Sequence, residues 1–300
     1  KTGKVIRETN ISEWRRTVCG NLTSIFRPFN GEKVKVPFPE RNEFIEMVHN
    51  AKFKKLPDGF KVLTANEIEK INKDPATSEW MPAQEKGVRT ANALPYELYA
   101  GGKLSADKQS FEISFEAASK VFGKQAVGAP FNVYAPGKYL PGDEPVRTWS
   151  YAVKAGDRLN DAWPLSSFEN AQYHLRVYGP NGFYREFTGD ANDPHLEIQC
   201  AYQHSLTNSK KLTGNVELKL INHGTQPADI TISDLGYHKG DLKKTVAART
   251  TATLVIDLSK SHGWYDFAVK TAGSRLFGQR YAGRIENGKE SFSDPVMGRV

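Results

Sequence analysis

Residues 173–177 read YHLRV and residues 183–189 read FYREFTG; ninety-two positions after the first, residues 265–269 read YDFAV, followed by FGQRYAG at 277–283. Tyr173, Leu175 and Val177 share one parity, and Tyr265, Phe267 and Val269 share the matching one. A period of two puts such side chains on one face of a strand. A strand pair that closes on aromatic-x-Gly and returns about one domain length later implies two related β-domains in tandem. Domains of that kind usually bind or support, whereas a catalytic site must be argued from convergent residues.

The same alternation extends to either side. Phe111, Ile113 and Phe115 alternate with Glu112 and Ser114; Phe131 and Val133 follow, then Trp149, Tyr151 and Val153. A second set keeps this order with Val216, Leu218 and Leu220, then Ile230 and Ile232, then Leu254, Ile256 and Leu258 ahead of the Tyr265 strand. Tyr237 matches Tyr139. Gly101-Gly102, Pro136-Gly137, Pro141-Gly142 and Pro180-Asn181-Gly182 supply the turns of the first set. Short strands with regular turns predict a mainly β chain with two tandem antiparallel β-sandwiches of immunoglobulin-like type. They are expected at 95–191 and 192–300, with Asn192-Asp193-Pro194 as the hinge. A partly helical segment precedes them. Residues 1–36 form one unit, with Ser12 capping a short helix. Residues 37–94 form a Pro-punctuated connector. In it Pro39 opens a helix carrying Phe44, Val48 and Ala51, and Thr64 with Glu67 fits a capping box.

Three hundred residues, 39% hydrophobic and 25% charged, suit a globular chain of roughly two domains. The formal charge of +7 comes from scattered residues, and no nucleic-acid fingerprint accompanies it, so no nucleic-acid partner is expected. Cys19 and Cys200 read as ordinary thiols. The seven histidines lie at no recognised metal spacing, and there is no HExxH, GxSxG, phosphate loop or paired-Cys motif. No catalytic, cofactor-binding or metal residue is therefore assigned in this chain. Trp149, Trp163, Trp264 and Tyr184, with Tyr134 and Tyr139, could form a sugar-stacking or membrane-interface surface, or simply pack the sandwich cores.

TNISEWRRTVCGNLTSIFRPFNG (9–31) resembles the end of the catalytic domain in the bacterial phosphocholine-specific phospholipase C family, which is related to certain acid phosphatases. QEKGVRTANALPYELYAGG (84–102) is similar to the link into its C-terminal region. YHLRVYGPNGFYREFTGD (173–190) resembles the signature of its C-terminal domain, of which the Tyr265 stretch is a weaker second copy. The resemblance implies hydrolysis of phosphatidylcholine or sphingomyelin by an alkaline-phosphatase-like domain lying N-terminal to this chain, and a secreted or periplasmic location. Residues 1–36 would then be a remnant of that domain, with Trp14, Arg15 and Arg16 anchoring the domain junction. The chain itself is expected to be non-catalytic and to hold no cofactor. Its implied partners are the N-terminal catalytic domain and a phosphatidylcholine-containing surface. A free-standing carbohydrate-binding or adhesion module, and purely stabilising domains, are the alternatives.

Overall fold

A computed structural model describes residues 41–53, 61–74, 78–81, 87–142, 146–237 and 240–296. Ser12, Trp14, Arg15 and Arg16 lie outside the described residues. The chain divides into one unit of residues 1–87 with 298–300 and a second of residues 88–297.

The first unit contributes α1 (Arg41–Ala51) and α2 (Ala65–Lys73). The capping box forms as read. Thr64 Oγ1 accepts from the Glu67 amide at 3.3 Å, and the Glu67 carboxylate accepts from the Thr64 amide at 2.9 Å. These bonds satisfy donors that the first turn would otherwise leave open. Lys61 donates to Glu67 at 2.6 Å and, with Thr64, holds its carboxyl down at about 2.

The second unit opens with β1 (Thr90–Ala91) and then runs through seven strands. They are β2 (Leu98–Leu104), β3 (Ser110–Ala117), β4 (Ala129–Pro136), β5 (Val146–Val153), β6 (Arg158–Pro164), β7 (Tyr173–Tyr178) and β8 (Tyr184–Gly189). Seven more repeat the order: β9 (Leu196–His204), β10 (Leu212–Asn222), β11 (Ala228–Asp234), β12 (Leu242–Val246), β13 (Thr251–Ile256), β14 (Trp264–Thr271) and β15 (Gly278–Arg284). A last short strand, β16 (Ser291–Phe292), pairs with β1.

In the first round β2-β3-β6 form one layer and β5-β4-β7-β8 the other; in the second, β9-β10-β13 face β12-β11-β14-β15. Each is an immunoglobulin-like sandwich in which the fourth strand of the round joins the larger sheet. Alternation decides which side chains go inward. Phe111, Ile113 and Phe115 of β3 are buried while Glu112, Ser114 and Glu116 are not. Phe111 stacks on Tyr173 of β7 with ring centroids 4.1 Å apart. In the second sandwich Val216, Leu218 and Leu220 meet Phe267, Val269 and Tyr281. Each fully buried large side chain contributes about 1.5–3 kcal/mol of transfer free energy.

Sequence reading did not foresee that the two sandwiches share a sheet. Strand β8 pairs antiparallel with β15, with Thr188 opposite Gly278, Glu186 opposite Arg280 and Tyr184 opposite Ala282. The two four-stranded layers thereby fuse into one eight-stranded sheet. Because the paired strands occupy equivalent places in the repeat, a half-turn through the seam relates the rounds. Aligning FYREFTG with FGQRYAG makes Glu186 and Arg280 equivalent positions, and they face each other on that axis. Identical repeats would set like charges opposite one another there, a destabilising arrangement.

The segment read as a hinge is tied down. Asp193 is buried and accepts from the Tyr173 hydroxyl at 2.5 Å and the Asp190 amide at 3.1 Å. Lys108 Nζ donates to the Ala191 and Asp193 carbonyls at 3.1 and 3.3 Å. Gly189 makes room for this lock: a Cβ there would lie 2.2 Å from the Asp193 carboxylate.

Candidate functional site

The seam concentrates the chemistry of the double sandwich. Phe183, Arg185 and Phe187 share the inward parity of β8, so a guanidinium is carried into the core. Arg185 is fully buried. One terminal nitrogen donates to the Tyr184 carbonyl at 2.7 Å and the Ala282 carbonyl at 2.9 Å, and the other to the Tyr265 hydroxyl at 3.0 Å. The cation sits 4.0 Å from the Phe183 ring centroid, with Tyr281 at 5.2 Å and Tyr265 at 5.6 Å. Aromatic faces and carbonyl dipoles thus stand where a carboxylate would be expected around a buried charge. Burial pushes the neighbouring Cys200 thiol up to about 11 and the Tyr265 hydroxyl up to about 12, with the Arg185 charge opposing both shifts.

On the outer face of the seam, Glu186 accepts from His174 Nε2 at 2.7 Å and from Arg176 Nε at 2.8 Å. These bonds, that of His174 first, hold its carboxyl at about 2 against the cost of burial. Across the seam Arg280 grips Asp266 with two bonds of 2.8 and 2.6 Å and lies over the Tyr184 ring. The bidentate fork fixes orientation as well as charge.

The aromatic residues proposed as a surface are dispersed. Trp163 is a buried core ring. Trp149 packs edge-on between it and Tyr139, with centroids 5.6 and 5.0 Å away. Trp264 lies against the Gly182 turn and donates from Nε1 to the Phe292 carbonyl at 3.0 Å. Only Tyr184 and Tyr134 join one outward cluster, through Tyr178, with centroid separations of 5.0 and 5.2 Å. Inward parity of Trp149 with Tyr151 and Val153 was the available signal for core packing. Arg185 was missed, although its parity with Phe183 and Phe187 places it inward.

A groove of about 870 Å³ crosses the opposite face of the molecule. It is lined on one side by the cross-strand rows Gly101–Ser114–Asn160 and Tyr99–Glu116–Arg158 of the first sandwich, and on the other by Glu197, Gln199 and Ala201 of β9 in the second. Glu116 pairs with Arg158 there. Among the described residues no group of three or more His, Cys, Asp or Glu side chains could hold a metal ion.

A family model described as the bacterial phospholipase C C-terminal domain matches twice, at residues 90–190 and 196–284. The chain belongs to that family. Each match covers one round of seven strands. Among similar proteins, the non-hemolytic phospholipase C of Pseudomonas aeruginosa is 33% identical over 98% of this chain and 38% of its own length. The enzyme of the same name from Burkholderia pseudomallei is 31% identical over 97% of the chain and 37% of itself. The hemolytic phospholipase C of Pseudomonas aeruginosa is 30% identical, over 97% and 40%. The chain therefore spans about two fifths of the length of the curated relatives it matches.

Proposed function

We propose that this chain is the non-catalytic C-terminal part of a secreted or periplasmic phospholipase C. The parent would hydrolyse phosphatidylcholine-type lipids to diacylglycerol and phosphocholine. The double sandwich supports the N-terminal catalytic part and presents it to lipid. The observation that carries this reading is the twofold family match over both sandwiches, aligned with less than half the length of proteins named phospholipase C. The tied linker and shared sheet support a rigid bracket. A contact with lipid is supported by Leu206, fully exposed in the β9–β10 loop beside Lys210 and Lys211. No helix among the described residues is long and apolar enough to cross a membrane.

Co-sedimentation of the chain with phosphatidylcholine vesicles, with and without anionic lipid and at low and high salt, tests presentation. Binding to neutral vesicles that survives salt supports it. Binding only to anionic vesicles, lost in salt, reduces the contact to net charge. Activity on vesicles that stays unchanged when a parent loses this region would leave the domains a purely stabilising role.

A further inference from the structure

We propose that the outer face of β5-β4-β7-β8 is the surface on which the N-terminal part of the parent chain docks. This rests on the proposed function and assigns it a place on the molecule. None of these four strands contains a lysine. A face kept wet usually carries several charges, as the opposite layer β2-β3-β6 does with Lys103, Glu112, Glu116 and Arg158. Here the Glu186 carboxylate is taken up by the Arg176 guanidinium and the His174 ring in a single cluster. The rest of the face is tyrosine and small polar residues, with Pro130, Pro136, Val146 and Ala152 among them. Tyr134, Tyr178 and Tyr184 touch in series, and Tyr178 is 42% exposed. Beside them the Ser150 hydroxyl donates to Asn132 at 2.8 Å, and Thr148 is exposed. Tyrosine and arginine with depleted lysine is the composition of a protein–protein interface core, and tyrosine supplies contact area at low entropy cost.

Two observations select the occupant. The curated relatives extend over about three fifths more of their length than this chain matches. The chain also joins the double sandwich at the border of this face. Glu286 accepts from the Leu94 amide at 3.2 Å and from Asn181 Nδ2 at 2.7 Å, and Asn181 sits in the turn between Tyr178 and Tyr184. The second sandwich lacks the equivalent cluster: Ser233 of β11, Lys270 of β14 and Gly278 of β15 stand at the places of Tyr134, Tyr178 and Tyr184.

The test places a photo-crosslinking amino acid at Thr148 or Tyr178 of the parent chain, with Ser114 on the opposite layer as the control. Crosslinks from 148 and 178 into the N-terminal part, with none from 114, are expected. A Thr148→Lys/Tyr178→Lys double variant should lower the Tm of the parent by about 4 °C or more while leaving that of the 300-residue chain unchanged. Absence of crosslinks from 148 and 178, equal crosslinking from 114, or crosslinks only to a second copy would overturn the assignment. An equal fall in Tm in both chains would also overturn it, because the residues would then serve the sandwich itself. Phosphatidylcholine hydrolysis by the unsubstituted parent is scored separately, so loss of the functional reading and loss of this surface are distinguishable.

Discussion

Replacing Arg185 by Met keeps most of the side-chain volume and removes the charge and three hydrogen bonds. A bond from a charged donor contributes about 1.5–3 kcal/mol, so the three together offer roughly 4.5–9 kcal/mol, and the rings add about 2 kcal/mol more. Against this stands the desolvation of a buried guanidinium with no carboxylate among its bonding partners, which costs several kcal/mol. Met relieves that cost but leaves the Ala282 carbonyl and the Tyr265 hydroxyl short of a partner inside the seam. The expected net loss is about 3 kcal/mol, which lowers Tm by about 6–12 °C for a unit of this size. Arg185→Lys should lose nearly as much, because an ammonium keeps the charge but cannot bridge Tyr184, Ala282 and Tyr265 as a planar fork does. Urea unfolding followed by Trp fluorescence and by circular dichroism would read both variants. The two probes should part company if the seam loosens before the sandwiches melt. Unchanged or higher stability in Arg185→Met would show that desolvation outweighs the bonds, and would refute the reasoning.

Other outcomes follow from the linker and the cores. Burial raises the Asp193 carboxyl to about 6, so the folded state binds its proton more tightly than the unfolded state does. Its contribution to stability is complete below the ordinary carboxylate range and is lost as pH rises through about 6. That amounts to about 3 kcal/mol in full, of which about 2 kcal/mol falls between pH 4.5 and 7.5. Asp193→Asn should flatten that part of the profile in urea midpoints taken at pH 4.5 and 7.5. Gly189→Ala would drive a methyl into the Asp193 carboxylate and should cost about 2 kcal/mol, seen as a lowered Tm. Trp163→Ala should cost about 3–5 kcal/mol by chemical denaturation, and Trp264→Ala distinctly less, since only the first ring is enclosed in the core.

Period-two alternation made most inward positions legible, from Phe111 through Tyr265, and the repeated motif disclosed the duplication. Four of the fourteen sandwich strands escaped: β2, β6, β9 and β12. Gly101-Gly102, read as a turn, instead lies inside β2, paired with Ser114 and Ile113, because a glycine pair also lets a strand run close to its neighbours. Strand β6 reads RLNDAWP and buries only Trp163, so no apolar alternation marks it. Strand β12 reads LKKTV and buries only Val246. The seam was illegible for another reason: pairing between β8 and β15 joins residues about ninety positions apart, and no local pattern names a partner strand. Asn192-Asp193-Pro194 has the composition of a loose turn, and only the placement of Tyr173 and Lys108 turns it into a fastening. The docking face was half visible. Tyr134 and Tyr184 were picked out as aromatics, but their union depends on Tyr178 and on cross-strand register.

The antiparallel seam also bears on why the two copies travel together. A lone sandwich would end its larger sheet on β8 or β15, a row of unpaired amides and carbonyls open to any passing strand, and so prone to aggregation. Joined, each copy is the other's stopper. The strands left at the rims are β12, which carries Lys243 and Lys244, and β5. Lysine on a rim strand discourages further pairing. Cutting the chain between the sandwiches would therefore release two self-adhesive halves, and engineering of this region has to treat the pair as one indivisible part.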